Sequence, residues 1–295
     1  MSEAKRRFRV LDVHHHVGSA FLALGGPIDD GSRGAASTAL PSPAERELAS
    51  RLEIMDAGGV DQAIVIPGHG YLRSRGLPDT MAENDLIARY RDRLPARFPA
   101  AVGIVEPAYG DASFAELERC KHELGLAGIS FHTRFQGVSL DSRFILAYVE
   151  KMAELGLVPV IHAMNETPEE ALWKLAVLAR SIPQTPVLAL DAFGSFEATR
   201  ECSFIAEVAP NIVFDTSLSY NFDFIEEFAK RFGAERVVFG TDLYSHPVGR
   251  RISHLLPQIE ASSLSDAEKA AILSDNARRL FGLPDQARSV ADATA

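Results

Sequence analysis

The chain has 295 residues, of which 46% are hydrophobic and 24% charged, a composition typical of a soluble globular protein. Thirty Lys and Arg against 40 Asp and Glu give a formal charge of −10. That balance argues against a nucleic-acid binder, which needs a basic surface to contact phosphates. No apolar stretch approaches the length of a membrane span, and the first residues contain no apolar signal segment. The two cysteines, Cys120 and Cys202, form no disulfide framework, so we expect a cytoplasmic protein.

Eight short apolar runs recur along the chain, and each predicts a buried strand of a parallel sheet. They span 8–13, 62–66, 100–105, 126–131, 157–161, 186–190, 211–215 and 236–240. Segments with helical spacing lie between them, at 45–59, 114–125, 142–156, 167–181 and 195–209. Thr167 with Glu170 predicts a capping box, and Ser195 predicts an N-cap without the box.

This alternation of strand and helix predicts an α/β protein, specifically a (β/α)₈ TIM barrel, in a single domain. No G-x-G-x-x-G motif follows the first strand, which weakens the alternative of a dinucleotide-binding sheet. We predict the barrel over residues 1–283 and a flexible tail over 284–295. Segment 17–43, rich in Gly, Ser, Ala and Pro, follows the first strand and predicts a functional or disordered loop at the active-site end.

The first strand carries three consecutive histidines, in the sequence L-D-V-H-H-H at 11–16. Because side chains alternate across a strand, Asp12, His14 and His16 are predicted to share one face, and His15 to point away. Two imidazoles on one inward face can bind the same metal ion, and neutral imidazole suits zinc and similar ions. The alternative is a solvated patch of three histidines with no common role.

Two further residues follow strands whose carboxyl ends should meet the first. His162 ends the fifth predicted strand, and Asp242 follows the eighth. Alone, a strand-end histidine is usually a satisfied polar residue, and an aspartate after Gly-Thr is often a turn or helix cap. Since barrel strands present catalytic groups at one mouth, we predict one divalent metal ion held by His14, His16, His162 and Asp242. Zinc is the first expectation, with manganese or another divalent ion left open.

Five stretches of the chain resemble the amidohydrolase superfamily, in the branch that contains aminocarboxymuconate-semialdehyde decarboxylase. They are D-V-H-H-H at 12–16, G-I-S-F-H at 128–132, P-V-I-H at 159–162, F-G-T-D at 239–242 and S-D-N-A-R-R-L-F-G-L at 274–283. The resemblance implies that His14 and His16 are first-strand ligands and His162 the fifth-strand ligand. It also implies that Asp242 is the metal-linked acid/base. Strand four has no lysine to bridge two ions, which favours a single metal.

One position departs from that family. Relatives commonly have a histidine at the end of strand six, where this chain has Asp191. A carboxylate donates a hydrogen bond only when protonated, so the proton transfers must differ from those of the relatives. We therefore count Asp191 with Asp242 and His132 as the candidate catalytic residues.

Three other residues are candidate substrate-binding groups. His69 follows the second strand, Arg134 follows His132, and His246 lies beyond Asp242. Arg134 has the planar two-pronged donor set that suits a carboxylate, although a surface role is an equal alternative. Asp215, at the end of strand seven, is a candidate hydrogen-bond partner for a ligand histidine or a local cap.

These residues support three hypotheses for function. The first is a hydrolase of a small carbonyl compound, such as a lactone or amide, with a metal-activated water and Asp242 as acid/base. The second is a non-oxidative decarboxylase, and the third is an inactive barrel that serves as a binding module. In each case the expected partner is a small molecule, without nucleic acid or membrane, and homo-oligomerisation is left open.

Overall fold

A computed structural model describes residues 7–19, 43–68, 75–246 and 254–285 of the protein. The strands are all parallel to their neighbours: β1 Leu11–Ser19, β2 Gln62–Pro67, β3 Val102–Ile104, β4 Gly128–Phe131, β5 Val158–His162, β6 Val187–Leu190, β7 Ile212–Asp215, β8 Val237–Val238 and β9 Leu243–His246. The α-helices are α1 Pro43–Gly58, α2 Leu77–Arg93, α3 Asp111–His122, α4 Thr133–Gln136, α5 Arg143–Leu155, α6 Leu172–Ser181, α7 Phe196–Val208, α8 Phe222–Phe232, α9 Leu255–Ala261, α10 Asp266–Ala270 and α11 Asn276–Leu280.

The strands close into a ring in chain order. Strands β3 to β8 form one continuous parallel sheet, and β2, β1 and β9 form a second. A bridge between Val65 and Ala101 joins β2 to the residue preceding β3. On the other side the Val13 amide donates to the Phe239 carbonyl, at 3.0 Å. The predicted single-domain (β/α)₈ barrel is confirmed.

The eighth position of the ring is shared by two short strands. The run predicted as one strand over 236–240 pairs with β7 only at Val237 and Val238. The chain then turns through Asp242, whose backbone φ is 56°, and resumes as β9 beside β1. Such a left-handed residue cannot continue a strand, because its peptide groups no longer point at the neighbouring strand. The interruption places Asp242 at the mouth.

The apolar side chains form two layers. An inner cluster fills the barrel with strand residues such as Leu11, Val13 and Ile64, and it includes Ala277 and Phe281 from the C-terminal segment. That segment closes the amino-terminal end of the barrel: the Asn276 side-chain amide donates to the carbonyls of Ala234 and Val237, both at 2.8 Å. A larger outer cluster packs the helices onto the strands. The mouth at the opposite end is left for polar residues.

Of the two helix N-caps predicted from the sequence, the structure contains one and lacks the other. Ser195 caps α7, since its Oγ accepts a hydrogen bond from the Ala198 amide. The capping box predicted at Thr167 is wrong, because Thr167 makes no side-chain cap bond and a 3₁₀ turn over Pro168–Glu170 precedes α6. Glu170 is buried and points into the barrel mouth instead of reaching back to the helix start.

Within the part of the chain described here, the helices are all too short or too polar to cross a membrane. Most of loop 17–43 and of the predicted tail 284–295 lies outside the described residues, so the boundary at residue 283 stays a prediction.

We predict that Ser195→Ala lowers the free energy of unfolding by about 1 kcal/mol, because it removes the N-cap of α7. Thr167→Ala is the matched control, since its hydroxyl makes no hydrogen bond among the described residues. Urea denaturation of both variants measures the difference. An equal loss in the two variants would contradict this description of the caps.

Candidate metal centre

The histidines of β1 reach the mouth through a local irregularity in the strand. The pairing of β1 with β2 shifts register between Asp12 and His15. Leu11 and Val13 belong to the inner cluster, whereas Val17 belongs to the outer one, so the alternation changes phase within the strand. An extra residue in one strand reverses which side chains face inward. The prediction that Asp12 shares a face with His14 and His16 is therefore wrong.

Three imidazoles meet at the centre of the mouth. His14 Nε2 lies 3.0 Å from His16 Nε2, which in turn lies 3.3 Å from His162 Nε2. The three rings are buried. Asp242 completes the group, because its Oδ1 lies 3.4 Å from His14 Nε2 and 3.6 Å from His16 Nε2. The structure thus brings together the four residues predicted as metal ligands.

The opposite nitrogen of each ring is directed to an oxygen acceptor. His16 Nδ1 donates to the Pro67 carbonyl and His162 Nδ1 to the Phe131 carbonyl, both at 3.0 Å. His14 Nδ1 lies 2.8 Å from Asp215 Oδ2, which agrees with the predicted partner role of Asp215. A neutral imidazole that donates from Nδ1 has a lone pair at Nε2.

Converging lone pairs repel unless a positive charge lies among them, so this donor set fits a divalent cation. Three imidazole nitrogens with one carboxylate oxygen is a ligand set that zinc and similar ions prefer. The electrostatic surroundings agree. Although burial opposes it, the carboxylates of Asp242, Asp215 and Asp191 raise the pKa of His14 to about 10, so these acidic groups favour a positive charge beside His14, which a bound cation would supply in place of a proton.

Asp12 connects the histidine strand to the segment that contains Asp242. Asp12 Oδ1 accepts hydrogen bonds from the backbone amides of His14, at 2.9 Å, and Thr241, at 3.1 Å. Its Oδ2 accepts from the Thr241 hydroxyl at 2.6 Å. His15 Nε2 lies 3.0 Å from the same carboxylate, away from the imidazole cluster as predicted. Asp12 therefore fixes the position of the residue next to Asp242.

A glycine makes room for the Asp215–His14 contact. A side chain at Gly240 would place its Cβ 2.6 Å from Asp215 Oδ2 and 3.2 Å from the Cβ of His14. Both distances are shorter than ordinary van der Waals contact. Gly240, the glycine of F-G-T-D, is therefore required because any larger residue would clash with Asp215 and His14.

Asp191 lies behind His14 and beside Asp215. Its Oδ1 accepts from the Ser217 hydroxyl at 2.9 Å, and it is 3.9 Å from His14 Nδ1. The backbone is left-handed here, with φ 66°, and the Asp191 amide donates to Asp215 Oδ1. Burial raises the pKa of Asp191 to about 6.

His14, Asp191 and Asp242 could form a second ligand group. However, the His14 nitrogen that faces Asp191 is Nδ1, which already contacts Asp215. The group around Nε2 is therefore the better metal site, and Asp191 is a neighbour of a ligand.

His132 lies beside the metal cluster and is held by a buried acid. Its ring stacks parallel on His162, with centroids 4.2 Å apart. His132 Nδ1 is 2.6 Å from Glu170 Oε1, and the Arg134 amide donates to the same oxygen at 3.2 Å. Burial raises the pKa of Glu170 to about 8. Glu170 therefore orients His132 in a pocket next to the metal site.

Arg134 lies at the edge of this pocket, with its side chain 26% exposed. The guanidinium carbon is 4.4 Å from the centre of the Phe135 ring, and Nε is 3.6 Å from Glu170 Oε2. A guanidinium at a partly open position can pair with a carboxylate that enters from solvent. His69 lies outside the described residues, and so does the side chain of His246, whose backbone ends β9.

Three groups that contact the site are not predicted by the sequence. Glu170 was interpreted as a helix cap, Ser217 was not considered, and Tyr244 stacks on His16 with ring centroids 4.4 Å apart. A signal existed for Ser217, since it follows Asp215 by two residues. Nothing in the sequence places Glu170 beside His132, because a 3₁₀ turn sets its direction.

Comparison with known proteins identifies the family of this chain. Residues 11–283 match the amidohydrolase family, and the chain belongs to that family. A 2-keto-4-carboxy-3-hexenedioate hydratase of Sphingobium sp. is 25% identical, covering 79% of this chain and 82% of the relative. A 2-amino-3-carboxymuconate-6-semialdehyde decarboxylase of Dictyostelium discoideum is 24% identical, covering 68% of this chain and 65% of the relative.

A solved structure shows the same fold. The 5-carboxyvanillate decarboxylase from Novosphingobium aromaticivorans, complexed with manganese and 4-hydroxy-3-methoxy-5-nitrobenzoic acid, superposes with a TM-score of 0.68. It is 17% identical, and the match covers 95% of this chain and 97% of that structure. The resemblance to the superfamily that the five motifs predicted is confirmed.

We predict that His14→Ala abolishes retention of divalent metal while the barrel stays folded, because one of the three converging nitrogens is lost. Metal content after purification without chelator is measured by mass spectrometry, alongside the circular dichroism spectrum. His122→Ala is the control, since this exposed histidine lies on α3. Normal metal content in the His14 variant would contradict the ligand assignment.

We also predict that Glu170→Gln flattens the dependence of stability on pH. The pKa of this carboxyl in the folded chain, about 8, lies above its ordinary 4.5. The folded state therefore binds the proton more tightly than the unfolded state, and the free energy of unfolding falls as pH rises through this window. Urea denaturation from pH 5 to 8.5 tests this, with the exposed neighbour Glu166→Gln as control. Equal slopes in wild type and Glu170→Gln would contradict a proton held on Glu170.

Proposed function

We propose that this protein is a metal-dependent lyase that removes CO₂ from a small, unsaturated or aromatic carboxylic acid. The observation that carries the proposal is the convergence of three imidazole Nε2 atoms with Asp242 at the barrel mouth. The named relatives support decarboxylation over the hydrolysis that the sequence alone favoured, because two are decarboxylases and the third a hydratase.

The donor set, rather than any relative, supports the proposed ligands. His14, His16 and His162 would supply three nitrogens, and Asp242, which lies near His14 and His16, one oxygen. This set suits manganese or zinc. When bound, a divalent ion acts as a Lewis acid that stabilises negative charge on substrate oxygens. The manganese in the Novosphingobium structure makes Mn²⁺ the first ion to test.

The remaining chemistry is assigned to side chains of this chain. Arg134, at the open edge, pairs with a substrate carboxylate. His132, oriented by Glu170, hydrogen-bonds to a substrate oxygen beside the metal. As the bond to the carboxyl carbon breaks, CO₂ leaves and the electron pair stays on the substrate carbon. Asp242 passes a proton to that carbon, so that a C–H bond replaces the C–C bond.

Asp191 is proposed to act through its neighbours. It contacts Ser217 and lies near the Nδ1 side of His14, where a change in its charge alters the electron donation of that ligand. Relatives commonly have histidine at the position of Asp191. In this chain the Asp191 carboxylate lies outside the group of converging Nε2 atoms, which fits a role that acts through His14.

Hydration of a carbon–carbon double bond is the second candidate, and one specific observation favours it. The Sphingobium relative, 25% identical with 82% of its length covered, is a hydratase. The same Asp242 would then transfer a proton to or from an alkene carbon. Both reactions fit a cytoplasmic enzyme of small carboxylated molecules, and the two buried free thiols fit a reducing compartment.

We expect protein loaded with Mn²⁺ or Zn²⁺ to release CO₂ from 5-carboxyvanillate or a related aromatic or unsaturated acid, and to lose this activity with chelator. In D₂O, decarboxylation adds one deuterium at the vacated carbon, hydration adds the mass of water without CO₂, and hydrolysis adds water and cleaves the substrate. Mass spectrometry of the products distinguishes the three. Protein that retains no metal after chelator-free purification, and gains no activity with either ion, would contradict both enzyme proposals and favour a binding module.

Asp242→Asn tests the proton-transfer role. We expect kcat to fall about 100-fold or more, which is the usual contribution of a general acid or base, in protein whose metal content has been restored and measured. Asp223→Asn, on the exposed start of α8, is the control. Full activity in metal-loaded Asp242→Asn would rule out this residue as the proton donor.

A further inference from the structure

A buried arginine lies behind the histidine strand. Arg51, on α1, is only 2% exposed, and its guanidinium contacts both β1 and β9. Nη2 donates to the His16 carbonyl at 2.7 Å and to Ser245 Oγ at 2.9 Å. Because His16 belongs to β1 and Ser245 to β9, a single nitrogen of Arg51 joins the two strands beside the metal centre.

This contact lies where the ring of strands is interrupted. Strand β8 pairs with β7, β9 pairs with β1, and the turn between β8 and β9 contains Asp242. The pairing of β9 with β1 is in register at His15 and His16, and the register then shifts before Ser19. The backbone ladder is therefore short at this point, and the hydrogen bonds of Arg51 add a connection that the ladder does not supply.

The guanidinium is itself held by a buried acid. Arg51 Nε donates to Glu47 Oε1 at 3.0 Å, and Glu47 also accepts from the hydroxyls of Ser245, at 2.7 Å, and Tyr90, at 2.8 Å. Although burial opposes it, Arg51 lowers the pKa of Glu47, so the carboxylate is ionised. The two charges cancel, and the pair therefore places no net positive charge behind the metal ligands. Hydrogen bonds to charged groups are strong and directional, which fixes the guanidinium.

A second nitrogen of Arg51 leads to the turn that contains Asp242. Nη1 lies 3.3 Å from His15 Nδ1, and since a guanidinium only donates, Nδ1 is the acceptor. His15 then donates from Nε2 to Asp12 Oδ2, at 3.0 Å. Asp12 in turn accepts from Thr241, the residue before Asp242. This chain of contacts gives a role to the histidine of H-H-H that faces away from the metal ligands.

We propose that Arg51 is a positioning residue for the metal centre, which sets the end of β1 that carries His16 against the segment that carries Asp242. His16 Nε2 and Asp242 Oδ1 lie 3.6 Å apart, on the two sides of the interrupted closure, and both sides are connected to Arg51. A change in the spacing of the two strands alters how well these atoms meet one ion. The inference rests on the proposed metal centre and is independent of the reaction performed there.

The test is the dissociation constant for Mn²⁺ and for Zn²⁺, measured on the full-length protein by competition with a chromogenic chelator and without substrate. Arg51→Lys keeps the positive charge but replaces the planar fork of donors by one nitrogen on a flexible stem. We expect the dissociation constant to rise about 10-fold or more, as is usual when a group that orients a metal ligand is lost. Circular dichroism and urea denaturation show that the variant is folded.

Arg278→Lys is the matched control. Arg278 is also buried, and it donates to Gln62 Oε1 at 2.9 Å and to the Pro284 carbonyl at 2.8 Å, at the opposite end of the barrel. We expect Arg278→Lys to lower the free energy of unfolding and to leave the metal affinity unchanged. A residue that served only stability would behave in the same way at position 51.

Two results would overturn the proposal. One is a folded Arg51→Lys variant that binds metal as tightly as the wild type, and the other is equal weakening in Arg51→Lys and Arg278→Lys. If Arg51→Lys does not fold, Ser245→Ala removes the contact with β9 by a smaller change, and unchanged affinity in that variant overturns the proposal as well.

Failure of the proposed function gives a different pattern. Tight metal binding by the wild type without release of CO₂ counts against the lyase activity and leaves the role of Arg51 standing. Wild-type protein that binds neither ion contradicts the metal centre, and this inference with it.

Discussion

The mouth of this barrel depends on three imidazole nitrogens with converging lone pairs, where His16 Nε2 lies 3.0 Å from His14 Nε2 and 3.3 Å from His162 Nε2. That arrangement is unfavourable without a cation, and the protein builds it by fixing the other side of each ring. The acceptors come from three places around the barrel: the Pro67 carbonyl at the end of β2, the Phe131 carbonyl at the end of β4, and the Asp215 carboxylate of β7. Each one sets the tautomer of its histidine.

A second layer of polar groups keeps those partners in place. Asp12 connects β1 to Thr241 and so fixes the turn that contains Asp242. Ser217 connects Asp215 to Asp191. Left-handed backbone at both Asp191 and Asp242 is uncommon outside glycine, and residues held in this way concentrate at functional sites. The cost of burying these carboxylates is offset by hydrogen bonds and by the positive charge that they favour.

The outer surface of the barrel differs in composition from its mouth. Helices α6, α7 and α8 expose aromatic rings such as Trp173, Phe204 and Phe224 alongside their charged residues.

The sequence by itself determined the barrel and its strand positions to within a few residues, because strands of a closed parallel sheet are buried and therefore apolar. It also determined the group of His14, His16, His162 and Asp242, because polar residues at the carboxyl ends of barrel strands meet at one mouth. It also gave Ser195 as a cap, since that hydrogen bond is local. Only the tertiary structure decided which side chains face inward after the irregularity in β1, where one extra residue reversed the alternation and turned Asp12 away from the metal site. The tertiary structure likewise decided that Glu170 contacts His132 instead of capping a helix, and that Asp191 lies behind His14. These outcomes depend on register, backbone φ and contacts between distant strands, which no local pattern of residues contains.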